Sequence, residues 1–154
     1  MADVNVWNKK NITYNSLLPH YPITSILRLL FTETKKYSNN INKINSNSKV
    51  LDIGTYYLNN LLPFKDRRCQ LYGTESTDDA VKLSKNLTKK FKIKCKINKG
   101  INRKLNYKSN FFDFCLSIST LHYEENYKDI CAALKEMHRV LKPGGCLVVE
   151  TVAP

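Results

Sequence analysis

The sequence predicts an α/β protein built on a doubly wound sheet, mostly or wholly parallel, with strand order 3-2-1-4-5. From Lys49 onward, short apolar runs alternate with stretches of helical periodicity, the arrangement that yields a parallel sheet covered by helices. Right-handed crossovers between parallel strands leave few topologies, and the one that fits puts a ligand crevice at the carboxyl ends of the first and fourth strands. A length of 154 residues, 42% hydrophobic and 25% charged, suits one continuous core. The chain divides into a leading segment with one helix, 1–48, and a sheet-forming unit, 49–154.

Residues 1 to about 20 read as irregular. Pro22 suits the first turn of a helix, where its missing N–H is no loss, and the helix is expected to run through ITSILRLLFTETKKY with Ile23, Ile26, Leu27, Leu30 and Phe31 on one side. SNNINKINSNS, mostly Asn and Ser, reads as a surface connection. VLDI (50–53) is the first strand, and YLNNLLPF has room for a short helix that Pro63 is expected to break. CQLYGTE (69–75) is the second strand. STDDAVKLSKNLTKKF is a helix with a Ser/Thr start, acids in its first turn and lysines in its last. KIKCKIN (92–98) alternates lysine with Ile93, Cys95 and Ile97, the mark of an edge strand protected by charge. FFDFCLSIS (111–119) is apolar on both faces and reads as central. Asn126 to Leu141 repeats Ile130, Leu134, Met137 and Leu141 at helical spacing and is expected to stop at Pro143, Gly144 and Gly145; CLVVETV then makes the fifth strand.

No run approaches the roughly 18 apolar residues of a membrane-spanning helix. The start, MADVNVWNKKN, lacks the apolar core of a signal peptide, so a cytoplasmic protein is expected. Five isolated cysteines, an odd number in mostly apolar patterns, read as buried reduced thiols, with no disulfide or metal site. The net charge of +12 is unevenly placed: Lys82 to Lys108 holds eleven Lys/Arg and no acid. That run is either a solvated face of a lysine-rich chain or a surface for nucleic acid or a phosphorylated substrate; no Arg-rich or aromatic-interleaved stretch accompanies it.

Three features meet at the expected crevice. Gly54 follows the first strand, where a residue without Cβ lets the backbone turn sharply against a ligand. Glu75 ends the second strand 21 residues later, where a carboxylate can accept from both ribose hydroxyls of an adenosine. The stretch before and into the fourth strand, with Gly100, Leu105, Tyr107, Phe112 and Asp113, can wall an adenine site, and HRVLKPGGCLVV can end the last helix. A dinucleotide fingerprint wants three glycines after the first strand; this chain has one, which argues against a nicotinamide dehydrogenase.

With these residues placed, 49–151 resembles a class I S-adenosylmethionine-dependent methyltransferase of the small single-domain, type 11-like kind, with a Rossmann-like fold. KVLDIG resembles its first motif, YGTEST its acidic second motif, and GINRKLNYKSNFFDF its small-residue turn followed by Leu-Pro-Phe and Phe-Asp. SISTLHY resembles the end of its fourth strand, and EMHRVLKPGGCLVVE its Arg-Val-Leu-Lys-Pro-Gly-Gly signature, the most specific of the set. The front end, with Trp7, Tyr21-Pro22 and Ile26-Leu27-Arg28, is similar to the lead-in helix of members that act on small molecules or sugars. The resemblance implies S-adenosylmethionine as cofactor and an acceptor of that type. It implies that Asp52, Gly54, Thr55 and Tyr56 shape the methionine side, that Glu75 holds the ribose with Ser76 beside it, that Ile101 and Asn102 face adenine, and that Ser119 and Thr120 line the methionine near the reacting methyl. On the residues alone, Asp52 and Ser119 serve equally as strand-end caps. His122, just after the fourth strand, is the candidate base, because histidine exchanges protons near neutral pH; the alternative is a histidine that packs or caps the loop.

The sequence departs from that family at the turn itself. Members usually carry glycine at the positions of Tyr56 and Leu58, an acidic acceptor at Ile101, and Pro and Phe at Asn106 and Tyr107. A side chain held at positive φ costs about 1 to 2 kcal/mol, and a Cβ at position 56 intrudes on ligand space. Against this, a cofactor without phosphates needs less bare backbone, and Tyr56 can lie over the sulfonium. The family also continues past the fifth strand with strands 6 and 7. Ending at Pro154, this chain is expected to expose LVVETV as an apolar edge, so that a second copy or a partner chain covers it, or the sequence is a truncated product. Three functions stay open: methyl transfer to a small molecule or sugar, a non-catalytic methyltransferase-like subunit that binds a partner, and a nucleic-acid-directed basic protein.

Overall fold

The computed structural model of the chain describes residues 22–31 and 44–152. The expectations for the first 21 residues, for the helix beyond Phe31 and for most of the Asn-rich connection fall outside them. Strands β1 (Lys49–Ile53), β2 (Gln70–Glu75), β3 (Cys95–Lys99), β4 (Phe112–Ile118) and β5 (Leu141–Glu150) form one sheet in the order β3-β2-β1-β4-β5. All four neighbouring pairs are parallel, as the alternating pattern predicts.

Side chains alternate across each strand, so the two faces of the sheet build two cores. Val50 joins Ile26, Leu58, Phe64, Leu87 and Ile97 on one face, which α1 (Thr24–Phe31), α2 (Leu62–Asp66) and α3 (Asp78–Lys90) cover. Leu51 and Ile53 join Tyr72, Leu105, Met137 and Val140 on the other, under α4 (Tyr127–Val140). The Thr77 hydroxyl accepts from the Ala80 N–H at 3.2 Å and the Asn126 side chain from the Asp129 N–H at 3.0 Å, each capping the helix that follows. In register, Ile53 lies beside Thr74 and Ser117, so the chain leaves β1, β2 and β4 at one height. Gly54, Glu75 and Ser119 are thereby gathered at one rim.

Four local expectations need correction. Pro63 opens α2 instead of breaking a helix: a 3-10 turn at Asn59–Leu61 comes first, and the proline occupies the first turn of the next piece, where no N–H is needed. Pro22 likewise precedes α1, which starts at Thr24, and Leu27 sits on the shoulder of its apolar stripe, 36% exposed. β3 begins only at Cys95, because Lys92 takes a left-handed turn (φ 52°) first. The Pro-Gly-Gly run does not stop α4, which has already ended at Val140; Leu141 is extended and pairs with Phe112. Lys142 to Gly145 then bulge out before Cys146 pairs with Phe114. A proline cannot donate to the ladder and Gly144 takes φ 75°, which makes this run a bulge. Asp113 fastens it, accepting from the Lys49 N–H at 2.8 Å and from the Lys142 ammonium at 2.7 Å.

β5 is the outermost strand on its side among the described residues, with Val149 40% exposed. All five cysteines are free. No described helix is long and apolar enough to cross a membrane.

Leu58 tests which force governs the loop after β1, since it is fully buried yet held at φ 65°. Glycine there would relieve about 1 to 2 kcal/mol of strain but delete a side chain worth about 2 to 5 kcal/mol in a packed core. Packing should win: Leu58→Gly lowers the unfolding free energy by about 1 to 3 kcal/mol in a urea titration. An unchanged or higher midpoint would mean that strain dominates.

Candidate functional site

At the shared rim of β1, β2 and β4 lies a cavity of about 440 Å³, within the size range of small-ligand sites. Its floor is the loop after β1. Gly54, Tyr56 and Leu58 all have positive φ (69°, 32° and 65°), so alternate residues are left-handed even where a side chain is present. The Gly54 N–H donates to the Thr74 carbonyl at 2.8 Å, and a Cβ at Gly54 would lie 2.7 Å from the Thr120 methyl. Only glycine lets the loop after β4 close this far onto the turn.

Tyr56 is pinned from two sides. Its N–H donates to the Glu75 carboxylate at the end of β2, and its carbonyl accepts from the fully buried Ser84 hydroxyl of α3 at 2.9 Å. Its ring packs edge-on to Tyr57, with centroids 4.2 Å apart, and the residue lines the cavity without closing it. Leu58 points away, into the core beside Leu61 and Phe64.

The opposite wall joins two loops. Asn102 donates to the Thr120 carbonyl at 3.2 Å and to the Glu124 carboxylate at 3.0 Å. Arg103 spans Glu124 at 3.1 Å and Asp129 at 2.7 Å. Behind them Glu136 accepts from the Leu105 N–H at 2.8 Å, and Arg139 binds both Glu136 and the Leu105 carbonyl, so α4 carries the loop. The Arg139 guanidinium holds the Glu136 carboxyl below its ordinary pKa. His122 and Tyr123 sit at the mouth with ring centroids 4.2 Å apart, and the exposed Ser119, at φ 53°, donates its N–H to the Glu150 carbonyl at 2.7 Å.

Of the residues singled out from the sequence, the structure brings together Gly54, Tyr56, Glu75, Ser76, Ile101, Asn102, Ser119, Thr120 and His122 around the one cavity. Asp52 and Thr55 are not on its wall; they are buried behind the turn, 1% and 2% exposed. Sequence reasoning missed Arg103, Tyr123 and Glu124 on the wall and Ser84 beneath it. Arg103 stands both in the lysine-rich run and in the segment GINRKLNYKSNFFDF; an arginine within one wall loop and a Glu-Glu pair in the other is the available signal for their union.

Burial dominates the electrostatics of the two acids. It pushes the Glu75 carboxyl up to about 7, with the Tyr56 N–H opposing. It pushes Asp52 up to about 8: no hydrogen bond of regular geometry reaches either carboxylate oxygen, the neighbouring Thr55 hydroxyl favours the charged form, and the charge of Glu75 disfavours it.

Comparison with known proteins places this geometry. A family profile described as "Methyltransferase domain" matches residues 51–149. The PH0226 protein from Pyrococcus horikoshii OT3 is 22% identical, with a TM-score of 0.63 over 85% of this chain and 61% of that one. A S-adenosylmethionine-dependent methyltransferase from Aquifex aeolicus is also 22% identical, with a TM-score of 0.58 over 79% of this chain and 63% of that one. A chain of the complex between the Haloferax volcanii Trm112 methyltransferase activator and a candidate methyltransferase is 21% identical, with a TM-score of 0.59 over 68% of this chain and 45% of that one. At these identities the likeness is one of fold, and this chain spans 45% to 63% of the length of those relatives. No curated protein matches it.

The raised carboxyls fix how stability depends on pH. Between the ordinary value of 3.8 and about 8, the fold keeps the Asp52 proton that the unfolded chain releases, so stability falls as pH rises through that window; Glu75 adds to the fall between 4.5 and about 7. Asp52→Asn removes its share. From about pH 5 to about pH 8 the urea midpoint of the native chain should drop more than that of Asp52→Asn. Parallel profiles would contradict a protonated, buried Asp52.

Proposed function

The chain belongs to the methyltransferase domain family, as a class I S-adenosylmethionine-dependent type, and from that premise we propose that it binds S-adenosylmethionine in the cavity beside Gly54 and methylates a small-molecule or sugar-type acceptor. One observation carries this reading: the loop after β1, despite Tyr56 and Leu58, keeps its left-handed backbone and leaves a cavity of about 440 Å³ with a buried carboxylate in the wall. The residues fit an adenosine ligand. Glu75 would offer a carboxylate to ribose hydroxyls, Gly54 lets the turn close onto Thr120 where a Cβ would clash, and Ile101 would give adenine an exposed apolar side chain on the wall.

When bound, the cofactor supplies an electrophilic methyl on a sulfonium. Gly54 and Tyr56 on one side, Ser119 and Thr120 on the other, would hold its methionine portion, and an aromatic ring at Tyr56 would favour a sulfonium by about 0.5 to 2 kcal/mol. Ser76 and Asn102 flank the nucleoside, while Asp52 and Thr55 act from behind as positioning groups. His122 at the mouth takes the proton from the acceptor hydroxyl or amine. Holding donor and acceptor in line supplies much of the acceleration.

A second reading, a subunit of this fold that binds a partner, is favoured by the outer side of β5, which no strand covers among the described residues and where a second copy or another chain can pair. The relative solved with a methyltransferase activator gives a precedent for partnership on this fold.

Calorimetric titration with S-adenosylmethionine and S-adenosylhomocysteine tests the first reading. Glu75→Ala should weaken binding about ten- to a hundredfold, by loss of hydrogen bonds to a charged group, and Gly54→Val should abolish it. Affinity should rise with pH through about 7 as Glu75 ionises, and Glu75→Gln should flatten that profile. No heat from the intact chain at millimolar ligand would leave the partner subunit as the better account.

A further inference from the structure

We propose that the basic face formed by the outer side of α3, the turn after it and the edge strand β3 binds single-stranded RNA through its phosphates, independently of the cavity. All eleven cations between Lys82 and Lys108 are exposed. Lys82, Lys85 and Lys89 recur at helical spacing on the side of α3 opposite its buried Ala80, Ser84 and Leu87. Lys92 and Lys94 continue the charge through the turn, and Lys96 carries it onto the edge. Opposing acids are few: α3 has only Asp78 and Asp79, both in its first turn, and Asp78 is taken by Lys99 at 2.7 Å. Arg103 is taken by Glu124 and Asp129, and among the described residues no ion pair reaches the other nine cations.

Two observations select the partner. The large apolar side chains that stand exposed among the described residues lie outside α3 and β3, so this face offers charge without an anchor for a lipid surface. The fold also sets aromatic groups beside the charge, round the β3 edge on the face of the sheet opposite α3. Lys96 lies over the Tyr72 ring at 5.7 Å and Lys108 over Phe111 at 5.3 Å, and Tyr107 and Phe111 in the same aromatic cluster are half-buried. Lysines that run from α3 round the edge strand to half-buried rings on the other face of the sheet suit a flexible strand whose phosphates track the charge and whose bases reach the rings. A rigid duplex meets fewer of them.

Fluorescence anisotropy with a single-stranded RNA of about 20 nucleotides and the 154-residue chain tests this. About five phosphate contacts predict a fall in affinity of about a hundredfold between about 50 and 200 mM salt. The quadruple variant Lys82→Gln, Lys85→Gln, Lys89→Gln, Lys94→Gln should bind at least about tenfold more weakly with a shallower salt slope. A control that removes the same charge elsewhere, Lys65→Gln, Arg67→Gln, Lys128→Gln, Lys135→Gln, should lose much less. Circular dichroism checks that both variants fold, and Glu75→Gln should bind RNA like the native chain, which separates this surface from the cofactor reading. Equal losses in the two quadruple variants, tighter binding to a duplex, or equal binding to phosphatidylserine vesicles would overturn the proposal.

Discussion

The carboxylate of Glu75, accepting the N–H of Tyr56, is the constraint on which the site rests. It joins the end of β2 to the loop after β1, and Ser84 completes the hold by donating to the Tyr56 carbonyl. A left-handed tyrosine costs about 1 to 2 kcal/mol, while a buried hydrogen bond to a carboxylate contributes about 1.5 to 3 kcal/mol, so the pair offsets the missing glycine. The same bond orients Glu75 on the cavity wall. Turn shape and ligand chemistry are therefore one feature, and the buried Tyr56 is held at the cavity by its own backbone.

The remaining scaffold keeps that rim level. Asp113 of β4 ties the start of β1 to the bulge in β5, which holds β1, β4 and β5 in register. On the far side Glu136 and Arg139 of α4 hold Leu105, and Asn102 and Arg103 fasten the loop before β4 to the loop after it. The family signature is thus mostly architectural here: its arginine supports a wall and its Pro-Gly-Gly run makes a bulge.

The sheet was legible because its signals are local and redundant. Apolar runs of strand length, lysine alternation at the edge, and the caps at Thr77 and Asn126 each speak for themselves. The rim was legible too, since Gly54 and Glu75 owe their place to strand ends. What escaped depends on partners far apart in sequence: Ser84 meets Tyr56 from 28 residues away and Asn102 meets Glu124 from 22. Pro63 and Pro143 misled for another reason. A proline signals that a helix cannot continue through it, but the same property suits a first turn or a bulge, and only packing decides which.

An amide NMR spectrum recorded while S-adenosylhomocysteine is added tests the central claim, that a glycine-poor turn held by Glu75 still shapes a cofactor pocket. The account predicts that the amides of Gly54, Tyr56, Glu75 and Asn102 shift together, with one saturation curve, while those of α2 and β3 stay in place. Shifts confined to other parts of the chain, or none at saturating ligand, would contradict it.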